Sequence, residues 1–159
     1  MAQNKIEKAT FGAGCFWGVE AAFRQVNGVL KTAVGYIGGK LNNPTYENVC
    51  TDKTGRAEAV KVTYDPRKVS YEKLLDVFWK NHDPTQLNRQ GPDVGTQYMS
   101  AIFYHSGKQK EIAMKSMKEE QKKYKKQIVT EIIPASIFFR AEEYHQEYLE
   151  KRGLSTCRI

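Results

Sequence analysis

The sequence predicts an α+β fold, namely a two-layer α/β sandwich with a ferredoxin-like β-α-β-β-α-β core, long loops and a C-terminal tail. Two observations support this fold. The first six predicted elements follow the β-α-β-β-α-β order, and the length of 159 residues suits one compact domain. Hydrophobic residues make up 40% of the chain, enough for a core without metal or disulfide cross-links.

The first half of the core is read from residues 5–37. Lys5–Phe11 is a short strand that passes through Gly12-Ala13-Gly14 to Cys15. A helix over Phe16–Gln25 carries apolar residues at helical spacings, and Asn27-Gly28 ends it. Val29–Ile37 is rich in β-branched residues, so it is predicted as the second strand.

The second half of the core follows a long polar loop over 41–56. Ala57–Tyr64 is a strand that Asp65-Pro66 stops, and Ser70 caps the helix that follows. His82-Asp83-Pro84 ends that helix, and a second long loop runs to Gln97. Tyr98–Tyr104 is then the last core strand. Loops of this length in a small domain are usually functional, so we expect both to form walls of a site.

The remaining segments extend the core. A lysine-rich helix lies within 108–126, a strand covers Val129–Ile133, a helical segment covers Glu142–Lys151, and 152–159 is a mobile tail. No repeat or linker divides the chain, so 1–159 is expected to be a single catalytic domain.

Charge and hydropathy argue against a nucleic-acid-binding, a secreted or a membrane-spanning protein. The net charge is +7, and much of the excess lies in the lysine-rich helix. Its apolar residues recur at helical spacings (Ile112, Ala113, Met117 and Tyr124), which favours a solvated lysine face over a nucleic-acid site. Met1–Lys8 lacks the apolar stretch of a signal peptide, and no run is long enough to cross a bilayer. We therefore expect a cytoplasmic monomer that binds neither nucleic acid nor membrane.

Three cysteines at irregular spacing do not form a secreted disulfide framework. No Cys-x-x-Cys or His-x-x-x-His pair is present, so no metal site and no cofactor are predicted. Reactive thiols or small buried side chains remain as the two alternatives.

Cys15 is the strongest candidate for a reactive thiol. It follows a Gly-x-Gly turn and immediately precedes a predicted helix, where free N–H groups and the helix dipole stabilise a thiolate. Phe16 and Trp17 come next, and two aromatics at a helix start fit the lining of a pocket. The alternative is a buried cysteine with two core aromatics, and position alone leaves both open.

Glu58 is the strongest candidate for a proton donor. Strand alternation places Glu58 on the same face as Val60, Val62 and Tyr64. Burial there would raise the pKa of the carboxyl group and make it a general acid. The alternative is a strand-end glutamate that reaches solvent or pairs with Arg56.

The segment Gly14-Cys15-Phe16-Trp17-Gly18 resembles the signature of the methionine sulfoxide reductase A family. Further matching segments follow in order along nearly the whole chain: Gly35-Tyr36, Asn43-Pro44-Thr45-Tyr46-Glu47, Thr54-Gly55, Ala57-Glu58-Ala59-Val60, His82-Asp83-Pro84-Thr85, Gly95-Thr96-Gln97-Tyr98 and Tyr144-His145-Gln146. A series of this kind is far more specific than one short motif.

The resemblance implies reduction of methionine-S-sulfoxide, free or in proteins, to methionine. Cys15 would attack the sulfoxide sulfur, and Glu58 would protonate the oxygen with help from the hydroxyls of Tyr46 and Tyr98. The reaction would leave Cys15 as a sulfenic acid.

The resemblance also implies the substrate-binding residues. Phe16 and Trp17 would enclose the S-methyl group. Asp93 would orient a water or polar group, and His145 would flank the site.

A resolving thiol would then form a disulfide with Cys15. Cys157, in the C-terminal tail, is preferred over Cys50, because disulfide formation needs a sulfur that moves into contact. A thioredoxin-type dithiol would reduce the disulfide. Arg56 and Met99 depart from the family pattern, which usually has His and Arg at these places.

Two rival functions stay open. A cysteine hydrolase or acyltransferase would pair Cys15 with a base such as His145 and need no reductant. An RNA-binding sandwich would share the element order, although the strands lack an RNA-recognition signature.

Overall fold

Helices pack on one face of a six-stranded sheet in the computed structural model. The structure describes residues 6–14, 16–37, 57–86, 89–90, 93–94, 99–135 and 138–141. The elements within these ranges are β1 (Glu7–Ala13), α1 (Phe16–Arg24), β2 (Val29–Ile37), β3 (Ala57–Tyr64), α2 (Tyr71–Lys80), β4 (Arg89–Gln90), β5 (Asp93–Val94), β6 (Ser100–Tyr104), α3 (Gly107–Gln121), β7 (Glu131–Pro134) and β8 (Phe138–Arg140).

The sheet order confirms the predicted ferredoxin-like core. The strands lie in the order β7-β6-β1-β3-β2-β8, so the four core strands are contiguous in the middle. The pairs β1/β3, β1/β6 and β2/β3 are antiparallel. At the edges, β7 joins β6 in parallel and β8 joins β2 antiparallel.

Several predicted elements match the structure closely. The strands Val29–Ile37 and Ala57–Tyr64 have the predicted bounds. Ser70 caps α2, because its side chain accepts a hydrogen bond from the Lys73 backbone N–H at 3.1 Å. Gly28 adopts a φ of 106°, which explains why a glycine ends the turn after α1.

The first strand ends two residues later than predicted. We expected it to end at Phe11, but β1 continues to Ala13. Gly12 belongs to the strand because neighbouring backbones approach it closely. A β-carbon there would lie 3.2 Å from the Met99 carbonyl oxygen and 3.3 Å from that of Glu58.

The later elements were predicted less well. β7 begins at Glu131 rather than Val129, because the Val129 N–H is bonded to the Pro84 carbonyl at 2.8 Å outside the sheet. The short strands β4, β5 and β8 were not predicted at all. The predicted helical segment 142–151 and the tail 152–159 lie outside the described residues.

The main core lies between the sheet and the helices. Phe11 stacks with Phe23, Tyr71 and Phe78 at ring-centroid distances of 5.1, 6.1 and 5.3 Å. Ala113 of α3 is fully buried in the same core, whereas all eight lysines of 108–126 are exposed. The helix is shorter than the lysine-rich segment, because α3 ends at Gln121 and four of these lysines follow it. A smaller apolar cluster of Ile37, Ala59, Ala101 and Phe103 lies on the opposite face of the sheet.

Candidate active site

Four core strands meet at one end of the sheet, which we call the site end. The last residues of β1 and β2 lie beside the first residues of β6 and β3, because Ala13 pairs with Ser100 and Tyr36 pairs with Glu58. The chain leaves β1 for Cys15 here. The loop that carries Tyr46 also starts and finishes here, since it joins β2 to β3.

A left-handed turn connects β1 to the first helix. Gly14 adopts a φ of 86°, a conformation that favours glycine, and α1 begins at Phe16. The first turn of α1 contains no acidic residue, so no carboxylate within that turn offsets the positive end of its dipole. Cys15 lies between these two residues in the sequence and is outside the described residues, as are the side chains of Phe16 and Trp17.

Glu58 is buried as the alternation predicted. Its side chain is 1% exposed, and it lies directly opposite the fully buried Tyr36 on the helix-facing side of the sheet. Its backbone flanks Gly12, whose other neighbour is Met99. Glu58 therefore lies beside β1, the strand that leads to Cys15, and the backbone of Met99 flanks Gly12 from the direction of β6.

A second glutamate on the helix side was missed. Glu20 of α1 is fully buried, and its carboxylate accepts a hydrogen bond from the Thr32 hydroxyl at 2.8 Å. The signal was present in the sequence, since Glu20 is one helical turn from both Phe16 and Phe23. Its bond to β2 indicates that Glu20 fastens α1 to the sheet.

A buried hydrogen-bond chain holds the start of β6. His82 Nδ1 donates to the Phe78 carbonyl at 2.7 Å, so its Nε2 accepts from the Ser100 hydroxyl at 2.7 Å. The Ser100 oxygen also contacts the Thr130 hydroxyl at 2.7 Å. Burial lowers the pKa of His82 to about 4, although the Phe78 carbonyl and the charge of Asp83 oppose this shift. The sequence pattern marked His82 as part of the segment that ends α2, and this hydrogen-bonding role was not predicted.

The second long loop starts from a turn that Asp83 organises. Its carboxylate accepts from the Thr85 hydroxyl at 2.6 Å and from the Thr85 backbone N–H at 2.9 Å. The Thr85 hydroxyl bond, opposed by burial and aided by further hydrogen bonds, lowers the pKa of Asp83. The loop then forms the β4–β5 hairpin, which contains the backbone of Asp93.

The remaining predicted residues are only partly placed. The side chain of Asp93 and the whole of Tyr46, Cys50, Arg56, Tyr98, His145 and Cys157 lie outside the described residues. Met99, one of the two departures from the family pattern, packs partly buried against the smaller apolar cluster. An apolar side chain fits that position.

The described part of the chain contains neither a metal-binding cluster nor a membrane-spanning helix. No three His, Cys, Asp or Glu side chains there are arranged to hold a metal ion. No helix there is long and apolar enough to span a membrane.

Similar proteins of known family show the class to which the chain belongs. A two-layer sandwich with a buried glutamate beside a glycine turn that leads to a cysteine is the arrangement expected of a cysteine-based reductase. The family model described as peptide methionine sulfoxide reductase matches residues 7–159. The chain belongs to the peptide methionine sulfoxide reductase family.

Individual relatives agree with this family. The peptide methionine sulfoxide reductase MsrA of Methanothermobacter thermautotrophicus is 61% identical over 159 residues, covering 99% of this chain and 94% of the relative. Reduced Mxr1 from Saccharomyces cerevisiae has a TM-score of 0.89 at 38% identity, covering 94% of this chain and 87% of that one. Mxr1 in complex with Trx2 has a TM-score of 0.64 at 27% identity, covering 91% and 85%.

Membership of this family decides between the functions left open by the sequence. It favours the reductase over the cysteine hydrolase and over the RNA-binding sandwich.

Proposed function

We propose that this chain reduces methionine-S-sulfoxide to methionine, with Cys15 as nucleophile and Glu58 as general acid. The observation that most directly supports this function is the position of Glu58. Its carboxyl group is 1% exposed, and it lies on the strand next to the one that delivers Cys15. A sulfoxide oxygen leaves poorly unless it is protonated, so a buried acid beside a thiolate supplies what this reaction needs.

In net terms, the first half-reaction breaks the sulfur–oxygen bond of the sulfoxide and forms a sulfur–oxygen bond on Cys15. The Cys15 thiolate attacks the sulfoxide sulfur, and Glu58 gives a proton to the sulfoxide oxygen. Transfer of that oxygen to the Cys15 sulfur leaves a sulfenic acid and releases methionine. Sulfur of the substrate is reduced, and sulfur of Cys15 is oxidised by the same two electrons.

The second half-reaction restores the thiolate. Cys157 attacks the sulfenic sulfur, water leaves, and a Cys15–Cys157 disulfide remains. A thioredoxin-type dithiol then reduces this disulfide by exchange. The complex of the similar yeast Mxr1 with Trx2 supports this partner.

Other residues complete the proposed site. Tyr46 and Tyr98 assist proton donation to the oxygen, and their segments adjoin strands that start or finish at the site end. Phe16 and Trp17, the first residues of α1, enclose the S-methyl group. Asp93 orients a water or polar group, and His145 flanks the substrate.

The domain organisation, oligomeric state and location of the enzyme follow from the same proposal. Residues 1–159 act as one catalytic domain, with 152–159 as the tail that carries Cys157. The protein works as a cytoplasmic monomer on free and protein-bound substrate.

A single-turnover experiment tests the reaction. Fully reduced protein is mixed with excess N-blocked methionine-S-sulfoxide in the absence of reductant, and methionine released per chain is counted. About one equivalent, together with a Cys15–Cys157 disulfide identified by mass spectrometry, is expected. No product and three free thiols would overturn the reductase function.

Matched cysteine variants assign the two thiol roles. Cys15→Ser is expected to release no methionine. Cys157→Ser should still release about one equivalent but accumulate a sulfenic acid that dimedone traps. Cys50→Ser should behave as the unaltered protein; a sulfenic acid that accumulates in Cys50→Ser instead would make Cys50 the resolving residue.

A further inference from the structure

A basic groove lies on the face of the sheet opposite the helices. It has a volume of about 400 Å³ and is lined by Lys8, Lys31, Thr32, Ala33, Lys61 and Thr63. Three of these six residues are lysines, and none is acidic. The volume falls in the range of small-molecule sites, but the lining is cationic rather than apolar.

The register brings the three lysines together. Lys8 of β1 and Lys31 of β2 both lie opposite Thr63 of the intervening β3, and Lys61 is two residues away on β3. Neighbouring strands are about 4.8 Å apart, so the backbones of Lys8 and Lys31 are separated by about 10 Å. Their four-carbon stems are long enough for the ammonium groups to converge on one ion.

A β-bulge directs Lys31 into this groove. The pairing of β2 with β3 shifts between Val29 and Lys31, so that Leu30 has no partner and is left 53% exposed. A regular register would place Leu30 opposite Thr63 and turn Lys31 toward the helices. Bulges commonly re-aim a side chain in this way, here at the cost of an exposed leucine.

The lysines act on one another and on a nearby histidine. Burial lowers the pKa of Lys61, and the charges of Lys8 and Lys31 lower it further. Burial also lowers the pKa of His105, again aided by Lys61 and Lys8. Among the described residues, the charges that shift these two pKa values are all those of lysines.

Protection of a sheet edge does not account for the lysines. Lysine commonly blunts exposed edge strands, but β1, β3 and β2 are interior strands of the sheet. Like charges that lie close together on neighbouring strands repel one another. Such unfavourable repulsion among the three lysines is expected where the residues serve to bind a ligand.

We propose that this groove binds a multivalent oxyanion of the phosphate class. Three ammonium groups offset a charge greater than that of one carboxylate, and lysine binds phosphate oxygens as a point charge. The site is separate from the reductase centre, because Lys61 and Glu58 lie on opposite faces of β3. The inference does not depend on the reductase function.

Titration with inorganic pyrophosphate tests the groove. Isothermal calorimetry on the full chain uses a constant ionic strength of about 0.1 M, which screens charges more than about 10 Å apart. Saturable binding with one site is expected. The Lys31→Gln/Lys61→Gln variant should weaken Kd at least about tenfold, the loss expected from removing two charge-assisted contacts.

A matched control separates a built site from general charge attraction. Lys115→Gln/Lys126→Gln removes the same charge from exposed positions in the lysine-rich segment and should change Kd by less than about twofold. Equal weakening by both variants, or no saturable binding by the unaltered protein, would overturn the proposal. Circular dichroism melting of each variant shows that it is folded.

A second ligand identifies the source of the phosphate. ADP carries the same diphosphate on a nucleoside. Tighter binding of ADP than of pyrophosphate, lost in the Lys31→Gln/Lys61→Gln variant, assigns the groove to nucleotides. Equal or weaker binding assigns it to free oxyanions.

Discussion

The two faces of β3 differ in the charged groups they carry and in how far those groups are exposed to water. On the helix face, Glu58 lies in line with the buried Val60 and Val62, where its carboxyl group is removed from water. On the opposite face, Lys61 and Thr63 line an open basic groove. The same strand thus carries a buried acid and an open cationic site. The difference shows that burial, rather than residue type, determines what an ionisable group can contribute.

The largest expected effect concerns the acid on the helix face. Glu58→Gln should lower the single-turnover rate of sulfoxide reduction about 10²–10³-fold, because the amide cannot donate the proton. Lys61→Gln, on the other face of β3, should change that rate by less than about twofold. The measurement is methionine released by reduced protein in rapid-quench experiments.

Glu20→Gln is the matched control for a buried glutamate. The amide oxygen of glutamine can still accept from the Thr32 hydroxyl, so α1 should stay fastened to the sheet and the rate should stay near that of the unaltered protein. A loss as large as that of Glu58→Gln would mean that the charge of Glu20 is also needed for the reaction, and would contradict the assignment of Glu58 as the one general acid.

The next effect is a pH dependence at the partly buried His82. The pKa of His82 is about 4 in the folded chain against 6.5 ordinarily, so the unfolded chain takes up a proton first as pH falls. The free energy of unfolding should fall by about 3 kcal/mol as pH drops from about 6.5 to about 4, and this contribution should then level off.

His82→Gln isolates this contribution, because carboxylates titrate alike in both proteins. Urea unfolding at several pH values should give a difference between the two proteins that changes only within this window. A constant difference across the window would show that His82 is not held neutral.

Side chains on the two faces of β3 should also differ in how much they contribute to the free energy of unfolding. Val62→Ala removes a fully buried side chain from the main core and should lower the free energy of unfolding by about 2–3 kcal/mol. Thr63→Ala, on the groove face, should lower it by less than about 1 kcal/mol. Chemical denaturation of both variants measures the contrast, and equal losses would contradict a single dominant core on the helix face.

The smallest expected effect is a change in the pKa of Lys61 when a neighbouring lysine of the groove loses its charge. Lys31→Gln removes one of the two charges that add to burial in lowering the pKa of Lys61, so that pKa should rise. NMR titration of the Lys61 side chain measures it. Lys115→Gln, on the exposed helix face, should leave the pKa of Lys61 unchanged.

Much of the fold was readable from local patterns. Alternation in Ala57–Tyr64 predicted both bounds of β3 and the side on which Glu58 is buried. The apolar spacing of Ile112, Ala113 and Met117 predicted which side of α3 faces the core. These patterns work because burial on one face imposes a fixed period on the sequence.

Other features depended on neighbours distant in sequence. β8 consists of three residues that become a strand only by pairing with the end of β2. Gly12 looked like a turn residue, whereas the approach of Met99 and Glu58 makes it part of a strand.

The sequence by itself determined the order of the core elements, the cysteine at the end of β1, the glutamate on β3 and the family to which the chain belongs. Only the tertiary structure decided that Glu58 faces Tyr36, that His82 is bonded to Ser100, and that three lysines share one groove. The physical reason is distance along the chain. Periodicity and motifs are local properties, but a cross-strand pair, a buried hydrogen-bond chain or a bulge that re-aims Lys31 exists only after strands from separate segments have paired.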